Sequence, residues 1–179
     1  MIVDLKAITD VPRHFDFSIG PDWWTGGEEN ATILGLDGPM DVRITLYRAG
    51  SKYVLEGRLS GSVLVSCDRC LEPCGCPVKS DFRVFLALLP KDADNSEVEL
   101  DREDMSVDFV AGDEIELDDV IREQIYLSLP MKFLCREDCA GLCPSCGVDL
   151  NTEKCQCSQG KGHPAFSKLK RLKINGDKV

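Results

Sequence analysis

The feature that most constrains this chain of 179 residues is its ten cysteines, most of which stand in close pairs. Two of the pairs are C-x2-C knuckles, Cys67 with Cys70 and Cys143 with Cys146. A knuckle directs two thiolates at one ion, and Gly147 suits the left-handed backbone that often follows the second cysteine. Zinc takes four ligands in a tetrahedron, so each knuckle needs a second pair of cysteines to complete a structural site.

The C-terminal segment contains two further pairs that can complete these sites. The first predicted zinc site consists of Cys143, Cys146, Cys155 and Cys157. The second consists of Cys67, Cys70, Cys135 and Cys139, and it forms only if the fold brings the sheet near the end of the helix. A rival arrangement places Cys135, Cys139, Cys143 and Cys146 on one ion. Cys74 and Cys76 are then left over, or they substitute in the second site, so we expect one or two Zn²⁺ ions.

Other uses of cysteine explain this pattern less well. Buried free cysteines behave as small apolar residues, which accounts for one or two thiols but not for ten in close pairs. A redox C-x-x-C motif usually begins a helix, whereas Cys67 and Cys70 end a strand pattern and are followed by Pro73. Iron–sulfur clusters also use four cysteines, but the C-terminal spacings differ from those of the ferredoxins.

The compartment is predicted from the first residues of the chain and from the length of its apolar runs. A chain of this length can bury a core without disulfides. Asp4 and Lys6 stand where a signal peptide needs apolar residues, and no apolar run reaches the length of a membrane span. We therefore expect a cytoplasmic protein, in a compartment where thiols stay reduced, with no membrane partner.

Charge is unevenly distributed along the chain. The net charge is −10, so the protein as a whole should be repelled by naked nucleic acid and should favour a basic protein partner. Residues 92–123 contain 14 acidic side chains and two arginines, whereas residues 161–179 contain six Lys or Arg and one Asp. Any contact with RNA would therefore be local, with the basic tail as the candidate.

The hydrophobic pattern predicts an α+β fold, an antiparallel sheet with one packed helix and a cysteine-rich, zinc-ribbon-like C-terminal segment. Period-two alternation predicts three central strands, with shorter strands near the N-terminus and at 106–111; the central ones cover residues 40–47, 52–66 and 78–89. Gly57 and Gly61 are expected to mark bulges or bends in the second of these. We expect residues 1–134 to form the sheet-plus-helix domain and residues 135–179 the zinc-ribbon-like segment.

Two helices are predicted. The first begins near Leu117, carries one apolar face and stops at Pro130; its apolar residues are Leu117, Val120, Ile121, Ile125 and Leu129. The second is a short basic helix at 165–174, and residues 91–104 are expected to form a loop.

Motifs for catalysis are missing from the sequence. It contains no Gly-rich phosphate loop, no serine nucleophile elbow and no HExxH motif. The two histidines, His14 and His163, are interpreted as surface residues, and neither predicted zinc site keeps the open position that a catalytic zinc needs. We therefore expect a non-enzymatic protein without a small-molecule substrate.

Several of these motifs resemble one family. The run S-C-D-R-C-L at 66–71, L-S-L-P at 127–130 and the cysteine-rich run at 135–157 resemble elements of the YceD family, the large ribosomal RNA subunit accumulation proteins. The resemblance extends from about Asp41 onward. Cys74 and Cys76 are additional to the family pattern, and Ala165 stands after Pro164 where the family often has arginine.

The resemblance implies support of large-subunit ribosomal RNA accumulation during ribosome assembly. The partner would be a large-subunit precursor, contacted through its rRNA, through a basic ribosomal protein, or through both. Two alternatives stay open: a zinc-ribbon adaptor in another nucleic-acid process such as transcription, since fold does not fix function, and a thiol redox protein.

Overall fold

The computed structural model describes residues 1–24, 33–89 and 107–157. The predicted loop at 91–104, His163 and the predicted basic helix at 165–174 lie outside them. The described elements, in chain order, are β1 (Ile2–Asp4), β2 (Arg13–Ile19), β3 (Ile33–Leu36), β4 (Met40–Ala49), β5 (Lys52–Ser66), β6 (Pro73–Leu88), β7 (Val107–Val110), β8 (Glu114–Glu116) and α1 (Leu117–Ser128).

The main sheet has the strand order β2-β4-β5-β6-β7, with β3 beside β5. All neighbours pair antiparallel except β6 and β7, which pair in parallel. A separate antiparallel pair joins β1 to β8, with Val3 opposite Ile115. The predicted α+β class with one packed helix is confirmed, and the parallel strand β7 is an addition to the predicted antiparallel sheet.

The central strands form where apolar residues alternate along the chain. In β4 the apolar side chains of one face are all buried; they are Met40, Val42, Ile44 and Leu46. These positions lie opposite β5 without a break in register, so one face of the sheet becomes the core side. β6 begins at Pro73, five residues before the predicted start, and therefore carries Cys74 and Cys76.

The sequence predicted bulges or bends at Gly57 and Gly61 of β5, and the bulges are absent. The register of β5 runs continuously against β4 and β6 through both Gly57 and Gly61, so neither glycine marks an inserted residue. Gly57 instead makes room for the ring of Phe82 on the neighbouring strand: a Cβ at Gly57 would lie 2.1 Å from Phe82 Cζ. A Cβ at Gly61 would lie 2.9 Å from the backbone of Met40. Both glycines therefore serve close packing rather than irregular backbone.

Helix α1 covers the core with the predicted apolar face. Its buried side chains include Leu117, Val120, Ile121 and Ile125. Asp118 and Asp119 lie in the first turn, where the helix dipole favours acids. Asp118 also accepts a hydrogen bond from Trp23 Nε1 at 2.6 Å, which ties the N-terminal segment to the helix. The helix ends at Ser128, so Leu129, which was predicted on the helical apolar face, is extended instead. The cause is Pro130, because the residue before a proline avoids the helical conformation.

The chain after α1 returns to the end of β5. The backbone N–H of Asp68 donates to the carbonyl of Phe133 at 2.9 Å, and the N–H of Phe133 donates to Asp68 Oδ2 at 2.7 Å. This reciprocal pair fixes residues 130–134 beside the turn that follows β5. As a result, the cysteines at the end of the sheet meet those that follow the helix.

Candidate metal centres

Eight of the ten cysteines form two groups of four. Cluster 1 consists of Cys67, Cys70, Cys135 and Cys139, and cluster 2 consists of Cys143, Cys146, Cys155 and Cys157. Within each cluster all four Sγ atoms lie within 4.8 Å of one another. Cluster 1 takes two cysteines from the end of the sheet and two from the segment after the helix, whereas cluster 2 is local.

The sulfur spacing fits a tetrahedral ion. With Zn–S bonds of about 2.3 Å, the sulfurs of a tetrahedral site lie about 3.8 Å apart. In cluster 1 the Cys67 and Cys139 sulfurs are 3.9 Å apart, and those of Cys70 and Cys135 are 3.7 Å apart. In cluster 2 the Cys143 and Cys155 sulfurs are 3.2 Å apart, slightly closer than the tetrahedral edge. The cysteines are free rather than disulfide-bonded.

The two knuckles share one backbone conformation. In the first, the N–H of Leu71 donates to the carbonyl of Cys67 at 2.9 Å, and in the second, the N–H of Gly147 donates to that of Cys143 at 2.9 Å. Both donor residues have a left-handed backbone conformation, with φ of 65° at Leu71 and 75° at Gly147. Glycine adopts this conformation freely, but a residue with a side chain pays about 1–2 kcal/mol for it. The first knuckle therefore keeps its turn geometry despite strain at Leu71.

Hydrogen bonds around the first knuckle hold the parts of cluster 1 together. The N–H of Cys67 donates to the carbonyl of Glu72 at 2.9 Å, which closes the turn between β5 and β6. Arg69 Nη1 donates to the carbonyl of Cys139 at 2.7 Å, so the knuckle holds the segment that carries the other pair. Cys67, Cys70 and Cys139 are buried.

Cluster 2 lies at the end of a small hairpin. The N–H of Cys143 donates to the carbonyl of Val148 at 2.8 Å, and Leu142 pairs with Asp149 in an antiparallel bridge. Backbone N–H groups also point at the sulfurs: Ser145 N lies 3.4 Å from Cys143 Sγ. Such N–H donors stabilise thiolates, which are the form of cysteine that binds metal.

Each cluster combines a thiol that ionises easily with one that does not. Burial raises the pKa of Cys67, but backbone N–H groups, led by that of Cys135, outweigh it and lower the pKa to about 6. The N–H groups of Ser145 and Cys146 lower the pKa of Cys143 to about 6. Burial and the neighbouring sulfurs raise the pKa of Cys135 to about 12. Four adjacent thiolates repel one another, and a dication is the group that removes this repulsion.

The donor set therefore fits a structural metal. Four sulfurs fill a tetrahedron, and thiolate ligands suit zinc or iron rather than hard cations such as Mg²⁺. Either cluster can hold one ion with no position open for a substrate. Metal binding by these eight residues, and zinc as the metal, stay predictions at this point.

The structure brings together the pairs predicted for each site. It does not form the rival group, because Cys135 and Cys139 join the first knuckle while Cys143 and Cys146 join Cys155 and Cys157. Cys74 and Cys76 lie outside both clusters on β6, and burial raises the pKa of each thiol. His14 is exposed, and its ring lies 3.0 Å from Thr45 Oγ1.

Three residues around the clusters were not singled out by spacing. The Arg69 side chain donates to the carbonyl of Cys139, and the N–H of Leu71 closes the first knuckle. Asn151 Nδ2 donates to Cys139 Sγ at 3.4 Å. Arg69 and Leu71 stand inside the run at 66–71, and the cysteine-rich run includes Asn151, so their motifs were visible although their roles were not.

Two glycines near the clusters offer a matched prediction. Gly141 and Gly147 both have φ of 75°, but a Cβ at Gly141 would lie 2.9 Å from the Arg69 carbonyl oxygen, whereas at Gly147 nothing lies within 4 Å. We expect Gly147→Ala to lower the free energy of unfolding by about 1 kcal/mol, from backbone strain alone. Gly141→Ala should cost about 3 kcal/mol, because the clash adds to the strain. Denaturant titration of the metal-loaded protein checks both, and equal losses would contradict the role of the Arg69 contact.

Among the described residues, no helix combines the length and the apolar character that a bilayer crossing requires. This finding covers the helices of residues 1–24, 33–89 and 107–157.

Comparisons with known proteins point to one family. The family described as "Large ribosomal RNA subunit accumulation protein YceD" matches residues 55–173. An uncharacterized protein of Mycobacterium tuberculosis is 33% identical over 114 residues, which are 64% of this chain and 52% of that protein. No solved structure gives a significant match.

Two plant relatives carry the family name. The Arabidopsis thaliana protein named large ribosomal RNA subunit accumulation protein YCED homolog 1, chloroplastic, is 24% identical over 156 residues, covering 75% of this chain and 49% of that protein. The Zea mays protein of the same name is 26% identical over 156 residues, covering 74% of this chain and 53% of that protein. The chain thus spans about half the length of the curated relatives it matches.

Proposed function

Because the chain belongs to the YceD family of large ribosomal RNA subunit accumulation proteins, we propose that it is a non-enzymatic zinc-binding factor supporting accumulation of large-subunit rRNA during ribosome assembly. The observation that carries this proposal is the pair of four-cysteine clusters, both of which lie within the residues that match the family. Its place of action would be the cytoplasm.

Zinc is the proposed occupant for chemical reasons. It is redox-inert, accepts four thiolates without a preferred electronic geometry, and stabilises short segments that lack a core of their own. The described part of the C-terminal segment has no α-helix and only an isolated strand bridge, between Leu142 and Asp149. Metal at the two clusters would therefore give this segment its shape, and a structural site of this kind supports binding rather than catalysis.

The distribution of charge supports contact with a basic partner in a large-subunit precursor. On β8 and α1 several acids are exposed; they are Glu114, Glu116, Asp119 and Glu123. These exposed acids would attract a basic ribosomal protein, and the attraction would weaken as salt rises. Contact with rRNA would fall to the zinc-ribbon-like segment and the basic tail at 161–179.

A thiol redox role has one observation in its favour, the pKa of about 6 at Cys67. A redox cysteine must also reach its partner, and Cys67 is fully buried. A low pKa is equally what a metal ligand needs, since the thiolate is the form that binds. The two functions differ in alkylation: a redox Cys67 reacts quickly in the purified protein, whereas a zinc-bound Cys67 is protected until the metal is removed.

The test is the ratio of large- to small-subunit rRNA, with precursors, in cells depleted of this protein. We expect a selective fall in large-subunit rRNA. Wild-type protein should restore the ratio, and so should Cys76→Ser, which lies outside both clusters. The double variant Cys143→Ser and Cys146→Ser should not restore it, although its amount must be shown to equal that of the wild type.

An unchanged ratio, with the protein shown to be gone, would overturn the proposed function. Restoration by the double variant would separate rRNA accumulation from cluster 2. In that case the segment would serve another partner.

A further inference from the structure

The two clusters are connected by a very short piece of chain. Only Ala140, Gly141 and Leu142 separate Cys139 of cluster 1 from Cys143 of cluster 2. We propose that the clusters bind metal cooperatively and that Asn151 is the positioning residue that couples them. The inference rests on the proposed metal binding, but it concerns the dependence of one site on the other.

Asn151 makes contacts with both cluster regions. Its Nδ2 donates to Cys139 Sγ at 3.4 Å and to Asp149 Oδ1 at 2.6 Å. Its Oδ1 accepts from the N–H of Ala140 at 2.8 Å and from Arg136 Nη2 at 2.7 Å. Both amide hydrogens and the carbonyl oxygen are thus engaged, which fixes the orientation of the side chain.

The position of Asn151 depends on the loop of cluster 2. Asn151 lies between Cys146 and Cys155, inside the stretch that the cluster closes. Two hydrogen bonds place the start of this loop beside the hairpin that leads into Cys143: Asn151 N donates to Asp149 Oδ1 at 2.9 Å, and Leu150 N donates to the Gly141 carbonyl at 2.9 Å. Metal at cluster 2 would order this loop, and the ordered loop presents the amide of Asn151 to the sulfur of Cys139.

A second connection runs through Arg69 in the first knuckle. Its carbonyl accepts from Leu142 N at 2.9 Å, and its side chain donates to the carbonyl of Cys139 at 2.7 Å. Gly141 has no Cβ and can therefore lie close to the Arg69 carbonyl, which lets the next residue, Leu142, donate to that carbonyl. The connecting residues therefore lie against cluster 1 while they lead into cluster 2.

Electrostatics explains why one amide matters. A divalent ion with four thiolates carries a net charge of about −2, so N–H donors at the sulfurs stabilise the loaded site. Groups that hydrogen-bond to ligands commonly change metal affinity by about 10–100-fold. Since coupling between sites is reciprocal, metal at cluster 1 should strengthen binding at cluster 2 by the same factor.

The experiment is an anaerobic Co²⁺ titration of the metal-free full chain, followed by sulfur-to-cobalt charge-transfer absorption. The affinity of cluster 1 is measured in the wild type and in the variant Cys155→Ser with Cys157→Ser, which disables cluster 2. We expect cluster 1 to bind about 10–100-fold more weakly when cluster 2 is disabled. Asn151→Asp, which keeps an oxygen for Ala140 and Arg136 but replaces the amide donor, should cause a similar loss in the otherwise intact chain.

The coupling is isolated by combining the variants. With cluster 2 already disabled, Asn151→Asp should weaken cluster 1 little further, because the amide is no longer presented to Cys139. Thr152→Ala is the matched control: Thr152 Oγ1 donates to the Asp149 carbonyl at 3.3 Å in the same turn without touching a sulfur. It should leave both affinities unchanged.

Three outcomes would count against the inference, and each has a different meaning. Equal affinities of cluster 1 with and without cluster 2 would overturn the coupling and leave metal binding intact. An equal loss from Asn151→Asp in both backgrounds would reduce Asn151 to a local ligand support. A wild-type chain that binds no metal would overturn the proposed zinc-dependent function itself.

Discussion

Replacing Cys67 by serine should remove the metal from cluster 1 and lower the free energy of unfolding by about 3–5 kcal/mol. Cys67 is fully buried, and its knuckle fixes residues 130–134 through Asp68. Without the ion, the sulfurs of Cys70, Cys135 and Cys139 stay crowded together, with no cation to balance thiolate charge among them. Binding energy at a structural metal site is also folding energy, so its loss appears directly as instability.

Elemental analysis and denaturant titration measure this effect together. The wild type should hold two equivalents of zinc and Cys67→Ser one. Cys76→Ser is the matched control, since Cys76 lies on β6 opposite Val63 and outside both clusters; it should keep two equivalents. Iron in the wild type, or two equivalents retained by Cys67→Ser, would contradict the assignment.

Truncating Ile121 should also destabilise the fold strongly. Ile121 is fully buried on the face of α1 that packs into the main core. Ile121→Ala removes apolar volume at a site with no access to water, and such changes cost about 2–5 kcal/mol. Thermal or denaturant unfolding checks the value, and the metal content should stay at two equivalents.

The control for this change is on the same helix. Leu127 is 69% exposed, so Leu127→Ala should change stability by less than about 0.5 kcal/mol. A loss at Leu127 as large as that at Ile121 would mean that an unseen partner or another part of the chain covers the exposed face. A small loss at Ile121 would contradict the packing of α1 on the sheet.

Elements with strong periodicity could be predicted closely from the sequence. Strand β5 has the predicted bounds, because its apolar residues alternate up to the first knuckle. Helix α1 begins at Leu117 and stops just before Pro130, where an apolar face ends beside a residue that cannot continue a helix. In both cases local chemistry and tertiary packing favour the same structure.

Features set by distant neighbours could not be predicted in this way. The parallel pairing of β7 with β6 depends on where the chain returns after β6, which no local pattern encodes. The position of Gly57 inside a strand pattern predicted a bulge or bend, but its role is to make room for the ring of Phe82 on another strand. The strand β3, with only four residues, was too short to give a periodic signal.

In the candidate site, too, the sequence predicted what depends on local spacing but not what depends on distant neighbours. Spacing was enough to propose the two groups of four cysteines, because a tetrahedral site demands four ligands. It left open the rival group of Cys135, Cys139, Cys143 and Cys146, which only the fold separates. The surrounding contacts were not predictable: Asn151 contacts Cys139 from the hairpin of cluster 2, and Arg69 contacts Cys139 although the two residues are 70 apart in the sequence. Contacts of this kind depend on backbone paths that the spacing of cysteines leaves undetermined.

The different spans of the two clusters imply an order of folding. Cys143 and Cys155 are 12 residues apart, whereas Cys67 and Cys139 are 72 apart. Closing the longer loop costs about 1.6 kcal/mol more in chain entropy, and it needs the sheet and helix in place first. During synthesis the knuckle at Cys67 emerges long before its partners and must wait for them. We therefore expect cluster 1 to close after cluster 2, and only once the strands and the helix that bring its cysteines together have formed.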